Sequence, residues 1–133
     1  TTATTAITAT NVTGSVASGA TGTTQSNADN STKIATTAYV QNMGFGWGQT
    51  WQQPSRATGT TYTNSTGKPI MIAVGAVGSI AIAQLTIGGV NCGQVGTSGG
   101  TRAQLSGIVP NGVTYSVSAQ SGSPSIESWA ELR

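Results

Sequence analysis

PIMIAVGAVGSIAIAQLTIGGV, residues 69–90, carries no charged side chain, and its reading decides the fold. An apolar run of about 20 residues is long enough to cross a bilayer as a helix. This one is interrupted by Gly75, Gly78, Gly88 and Gly89, and by Ser79, Gln84 and Thr86. β-Branched residues recur at every second position, at Ile70, Ile72 and Val74 and again at Ile80 and Ile82, which is the strand period. The stretch is therefore expected to form two buried strands joined as a hairpin, with no membrane insertion. An edge this apolar would template aggregation, so another sheet or another subunit has to cover it.

On both sides of this run, turn signals recur every 8–12 residues, as in an all-β sandwich or barrel. They are Pro54, "NSTG" at 64–67, "TSGG" at 97–100, "PNG" at 110–112 and "SGSP" at 121–124. Strands are expected near 47–53, 60–64, 69–75, 79–87, 90–95, 101–109, 113–120 and 125–132. Residues 44–133 thus form an antiparallel β-sandwich head. Of Trp47, Trp51, Trp129, Tyr62 and Tyr115, three are expected in its core. Cys92, the only cysteine, is expected to be a buried, inert thiol.

Upstream the character of the chain changes. Residues 1–28 contain no charged and no aromatic side chain, and Ile7, Val12 and Val16 are their only large apolar groups. Such a segment cannot offset an ordering cost of about 1–2 kcal/mol per residue by itself. It reads either as a flexible linker or as a shaft that orders when several chains wind together. Between it and the head, "DNSTKIATTAYVQNMG" has the marks of a short helix over about 31–43. Asp29, Asn30 or Ser31 can cap it, Gly44 can end it, and Ala35, Thr36, Tyr39, Val40 and Met43 share one stripe. Residues 1–43 are accordingly a stalk and neck. A helix this short needs a partner, whether its own head or copies of itself.

The composition excludes most chemistry. Only 6% of the 133 residues are charged, against roughly a quarter in an ordinary globular protein. The net charge of +2 is too small and scattered for a nucleic-acid partner. There is no histidine, which removes Ser-His and Cys-His pairs and histidine metal sites. A single thiol and Asp29, Glu127 and Glu131 make neither a zinc nor a calcium site, so no metal or cofactor is expected. Glu127 and Glu131 would point the same way on a strand about 13 Å apart, too far for a glycosidase pair at roughly 5–9.5 Å. Thr1 could act as an N-terminal nucleophile, but it sits on the stalk. The neutral surface of Thr, Ser, Asn and Gln, with exposed Trp or Tyr, suits binding to sugars.

Several stretches are specific enough to name a family. "DNSTKIATTAYVQN" (29–42) is similar to the linker motif of tail fibre proteins of tailed bacteriophages. "GQTWQQPSRATGTTYTNSTGKPIMIAV" (48–74) resembles the opening of a fibre C-terminal head, and "VPNGVTYSV" (109–117) and "WAELR" (129–133) its closing pieces. The resemblance implies a homotrimer at the distal end of a virion tail fibre. It implies a non-enzymatic tip that recognises the bacterial surface, usually through lipopolysaccharide or another glycan, sometimes through an outer-membrane protein. The chain lacks the His-x-His iron sites of some fibre tips. The rival readings are a structural module that closes the trimer and a polysaccharide depolymerase, the latter short of carboxylates.

Strand parity suggests where a receptor would bind. If the first strand runs outward from the neck, the distal loops lie near 54–59, 75–79, 96–100 and 121–124, and those at 64–67, 88–89 and 110–112 face the stalk. The candidates are Thr97, Ser98, Arg102, Ser121 and Ser123, with Arg56 a lesser one. Arg56 and Lys68 flank the "GTTYTNSTGKP" block, and the stronger expectation for Arg56 is an anchor to Glu127, Glu131 or a backbone carbonyl.

Overall fold

A computed structural model describes residues 22–26 and 29–133. The stalk expectation for residues 1–21, with Thr1, Ile7, Val12 and Val16, lies outside the described residues. The elements are α1 (Thr37–Met43), β1 (Trp51–Gln52), β2 (Tyr62–Thr63), β3 (Ile70–Val77), β4 (Ala81–Ile87), β5 (Val90–Thr97), β6 (Arg102–Val109), β7 (Thr114–Ser121) and β8 (Ser125–Leu132). The eight strands fall where the turn signals put them.

They form two antiparallel four-stranded sheets, a front sheet ordered β1-β8-β3-β6 and a back sheet ordered β2-β7-β4-β5. The chain changes sheet at every connection except β4–β5, where Gly88 and Gly89 turn with φ of 59° and 80°. Two positive φ values in a two-residue hairpin match the right-handed twist of the strands. This strand order is that of a jelly roll.

Residues 69–90 are strands, and no helix among the described residues is long and apolar enough to cross a membrane. They are not, however, a hairpin. β3 is central in the front sheet and β4 is central in the back sheet, so the two runs face each other across the core. Each is flanked by strands on both sides, which satisfies the backbone without pairing one to the other. The inward residues are Ile70, Ile72, Val74 and Ala76 on β3 and Ala81, Ala83 and Leu85 on β4. Ile80 and Ile82, expected inside, project outward, because the chain enters β4 one residue out of phase with the isoleucines. The core adds Leu105, Val109, Tyr115, Val117 and Trp129, with Tyr62 packed on it. Trp47 and Trp51 stay exposed, at 59% and 53%. Three of the five aromatics named above are thus in or against the core.

Three β-bulges reset the strand phase. Leu85 pairs with Gly93 and Thr86 with Asn91, which leaves Cys92 as the extra residue; Gln120 and Glu127 are extra in β7 and β8. Cys92 is exposed, not buried, because a bulge residue has no place in the alternation. The bulge also separates the two glutamates expected to point the same way. Glu131 faces the core, while Glu127 faces out and pairs with Arg102.

The helix begins later than its sequence suggests. Asp29 Oδ1 accepts from Ser31 N at 2.9 Å, and Ser31 Oγ accepts from Lys33 N at 3.4 Å. These local turns engage the backbone groups that a helix from 31 would need. Thr36 is the N-cap instead, accepting from Tyr39 N, and Gly44 ends the helix in extended conformation. No α1 residue is buried, so the stripe at Tyr39, Val40 and Met43 has no cover from the head.

Candidate functional site

The head has two distinct ends. At the neck end Thr50 and Arg133 exchange backbone hydrogen bonds of 3.0 and 3.1 Å. Gln49 Nε2 donates to Pro69 O and Leu132 O, and Lys68 Nζ donates to Trp47 O at 2.8 Å. Asn64, in the "TNSTGKP" block, is the knot of this end. Its buried amide donates to Lys68 O and Val109 O, and its carbonyl accepts from Thr66 N and Thr66 Oγ1. Gly112 N donates to Asn64 O, which draws in the 110–113 turn. Lys68 is therefore an anchor to a backbone carbonyl.

At the opposite end the 78–80, 98–101 and 122–124 connections converge. Gly100 N donates to Gly78 O at 3.2 Å, and Thr97 Oγ1 donates to Ala81 O at 3.2 Å. A Cβ on Gly122 would lie 2.6 Å from Ile80 O, so only glycine allows the last turn to close against the first. Ile80 has φ of 54° and is 83% exposed. A β-branched residue in the left-handed region is strained by about 1–2 kcal/mol. Around it lies a shallow depression of about 350 Å³ lined by Ile80, Ala81, Ile82, Gly96, Thr97, Ser98 and Ser121, with no ionisable group in its wall.

The depression brings together three of the six expected residues, and a fourth lies in the turn beside it. Ser98 and Ser121 present exposed hydroxyls to the depression, whereas Thr97 is buried and its hydroxyl is committed to Ala81 O. Ser123 sits exposed in the adjoining turn. Arg102 lies on the front sheet, tied to Glu127 by bonds of 2.6 and 3.1 Å that hold its pKa above the ordinary value. Ile80 and Ile82 were missed because their spacing from each other resembles a buried strand; the preceding Gly78-Ser79 turn was the available signal.

Arg56 is not at this end. The 53–61 segment crosses from β1 to β2 along one side of the sandwich, and Gly59 N donates to Val117 O midway along β7. Beneath this strap, Arg56 binds both oxygens of Glu131 at 2.9 and 3.1 Å and lies over the Tyr62 ring at 4.2 Å. Tyr115 OH, Trp129 Nε1 and Arg133 also donate to the Glu131 carboxylate. Burial alone would push that carboxyl up, but the Arg56, Tyr115 and Trp129 hydrogen bonds bring it below its ordinary value. Burial first, then the bond to Glu131, pushes Tyr115 up to about 12. All acceptor positions are occupied, so this cluster is a fastening and offers no free acid or base.

The outer faces of the two sheets differ. Across the front sheet, Trp51, Leu132, Met71 and Ile108 stand side by side at the neck end, with Ile108 55% exposed. Across the back sheet the corresponding rows are Asn91–Thr86–Ser116 and Gln94–Gln84–Ser118. Gln84 Oε1 accepts from Asn91 Nδ2 and Gln94 Nε2, which orders that polar face. Among the described residues no group of three or more His, Cys, Asp or Glu is placed to hold a metal. Comparison with models of known protein families and with curated proteins finds no match.

Proposed function

We propose that this chain is the distal tip of a tailed-bacteriophage tail fibre, a homotrimer that attaches the virion to a receptor on the bacterial surface. The receptor is a surface glycan such as lipopolysaccharide, and the tip performs no reaction. One observation carries this reading: seven of the ten exposed large hydrophobic residues among the described residues lie at the neck or on the front sheet, with Ile80, Ile82 and Val90 the others. Ile34, Val40, Met43, Phe45, Trp47 and Trp51 are exposed on or beside the neck and continue into the Leu132–Met71–Ile108 row. Apolar area of this kind marks a surface that meets another subunit. Three chains sharing an axis along this surface leave the back sheet and the loop-built end facing outward. Each carboxylate is ion-paired, Asp29 with Lys33, Glu127 with Arg102 and Glu131 with Arg56 and Arg133, which favours adhesion over hydrolysis.

Two measurements test this. Light scattering of the chain should give the mass of three copies, and a stable monomer would refute the assembly. The purified chain should compete with fibre-bearing phage for adsorption to host cells. A trimer that does not compete, and releases no sugar from host polysaccharide, would be a closing module with binding elsewhere.

A further inference from the structure

Resting on that reading, we infer that the depression around Ile80 is the receptor subsite, and that it takes an uncharged sugar bearing a methyl group, as a 6-deoxy or an N-acetyl sugar does. Ile80 combines two properties that core packing does not explain. Its backbone is in the left-handed region at φ 54°, and its side chain is 83% exposed. Gly122, itself at φ 62°, packs so closely against the Ile80 carbonyl that a Cβ there would lie 2.6 Å from it. Strain kept at an exposed position is a mark of a functional surface. Beside Ile80 stand Ile82 and the hydroxyls of Ser98 and Ser121, so the wall is part apolar and part hydrogen-bonding.

The chemistry of the ligand follows from what lines the wall. No ionisable group does, and the nearby Arg102 and Glu127 neutralise each other on the front sheet. A charged sugar would lose hydration there with no counter-ion to replace it. Phe45, Trp47 and Trp51, the large exposed aromatics among the described residues, are at the neck, so a plain hexose has no ring to stack on at this end. A methyl group on the sugar gives the isoleucines an apolar partner, and the ring hydroxyls meet Ser98 and Ser121.

Saturation-transfer NMR on the full chain tests this with methyl rhamnoside and N-acetylglucosamine, against methyl glucoside and glucuronic acid. The methyl protons of the first two should receive the strongest transfer, insensitive to salt, with the other two near background. Asparagine tolerates the left-handed region, so Ile80→Asn should keep or raise the melting temperature while weakening binding by about tenfold. Equal transfer to all four sugars, or unchanged binding in Ile80→Asn, would overturn the inference. If no sugar binds but the chain still blocks adsorption, the ligand is wrong and the adhesion reading stands, with a protein receptor. If the chain neither binds sugar nor blocks adsorption, both fall.

Discussion

At Glu131 five hydrogen bonds converge on a carboxylate with 0% exposure. Such a group stabilises only while its partners remain, because a buried charge left without them is strongly destabilising. Arg56→Ala should therefore lower stability by about 3 kcal/mol, with Arg133 retaining part of the compensation. For a head of this size that is about 10–20 °C in melting temperature. A change of a degree or two would mean that the strap contributes nothing. The same cluster sets the pH limits. Glu131 is held below its ordinary 4.5, so its contribution is complete above that value and is lost as pH falls through the lower folded value. Tyr115 is shifted the other way, from 10.0 to about 12, so its contribution is complete below 10.0 and is lost as pH rises toward 12. Denaturant midpoints across pH should form a plateau with an acid and an alkaline shoulder, and Tyr115→Phe should remove the alkaline one.

Elements in this fold are governed by phase. β3 reads the same in sequence and structure, since its inward residues alternate without interruption over Ile70–Val77. β5, β7 and β8 each contain a bulge, and past the extra residue the inward set changes. Cys92 is the plainest consequence. It sits in a bulge of the β5 edge strand, so a thiol reagent should modify it in the native protein at close to the rate of the unfolded chain. Protection that disappears on dissociating the assembly would instead put β5 in an interface. α1 shows the other limit of pattern reading. Its stripe was legible, but Asp29 and Ser31 engaged the backbone in turns that postponed the helix to Thr37.

On the scale of the whole molecule, the jelly-roll order gives the two sheets different outer faces. Near the neck the front sheet carries Trp51, Leu132, Met71 and Ile108 and the back sheet amides and hydroxyls, with Ile82 exposed farther along the back sheet. If the front sheet meets its copies, Trp51→Ser combined with Ile108→Ser should shift the protein toward monomer in light scattering. Neither side chain belongs to the core, so the far-ultraviolet circular dichroism should stay unchanged. The matching change on the back sheet, Gln84→Ala with Gln94→Ala, should leave the mass as it was. Dissociation by the back-sheet pair and not by the front-sheet pair would invert the proposed arrangement.

The amino-acid sequence alone determined that the head is all-β, where its eight strands lie, and that no histidine is available for catalysis or metal ligation. Those properties depend on composition and on local alternation, which neighbouring residues impose on each other. Strand parity expected the loops near 54–59, 75–79, 96–100 and 121–124 at one end; the last three converge there, but the 53–61 segment lies along the side of the sandwich instead. Only the tertiary structure decided that β3 and β4 face each other instead of pairing, that Arg56 fastens a strap over Glu131, and that Ile80 stands out among Ser98 and Ser121. Each of these depends on contacts between residues far apart in the chain. Strand partner, bulge phase and loop convergence are set by which surfaces bury one another, and local pattern carries no record of that.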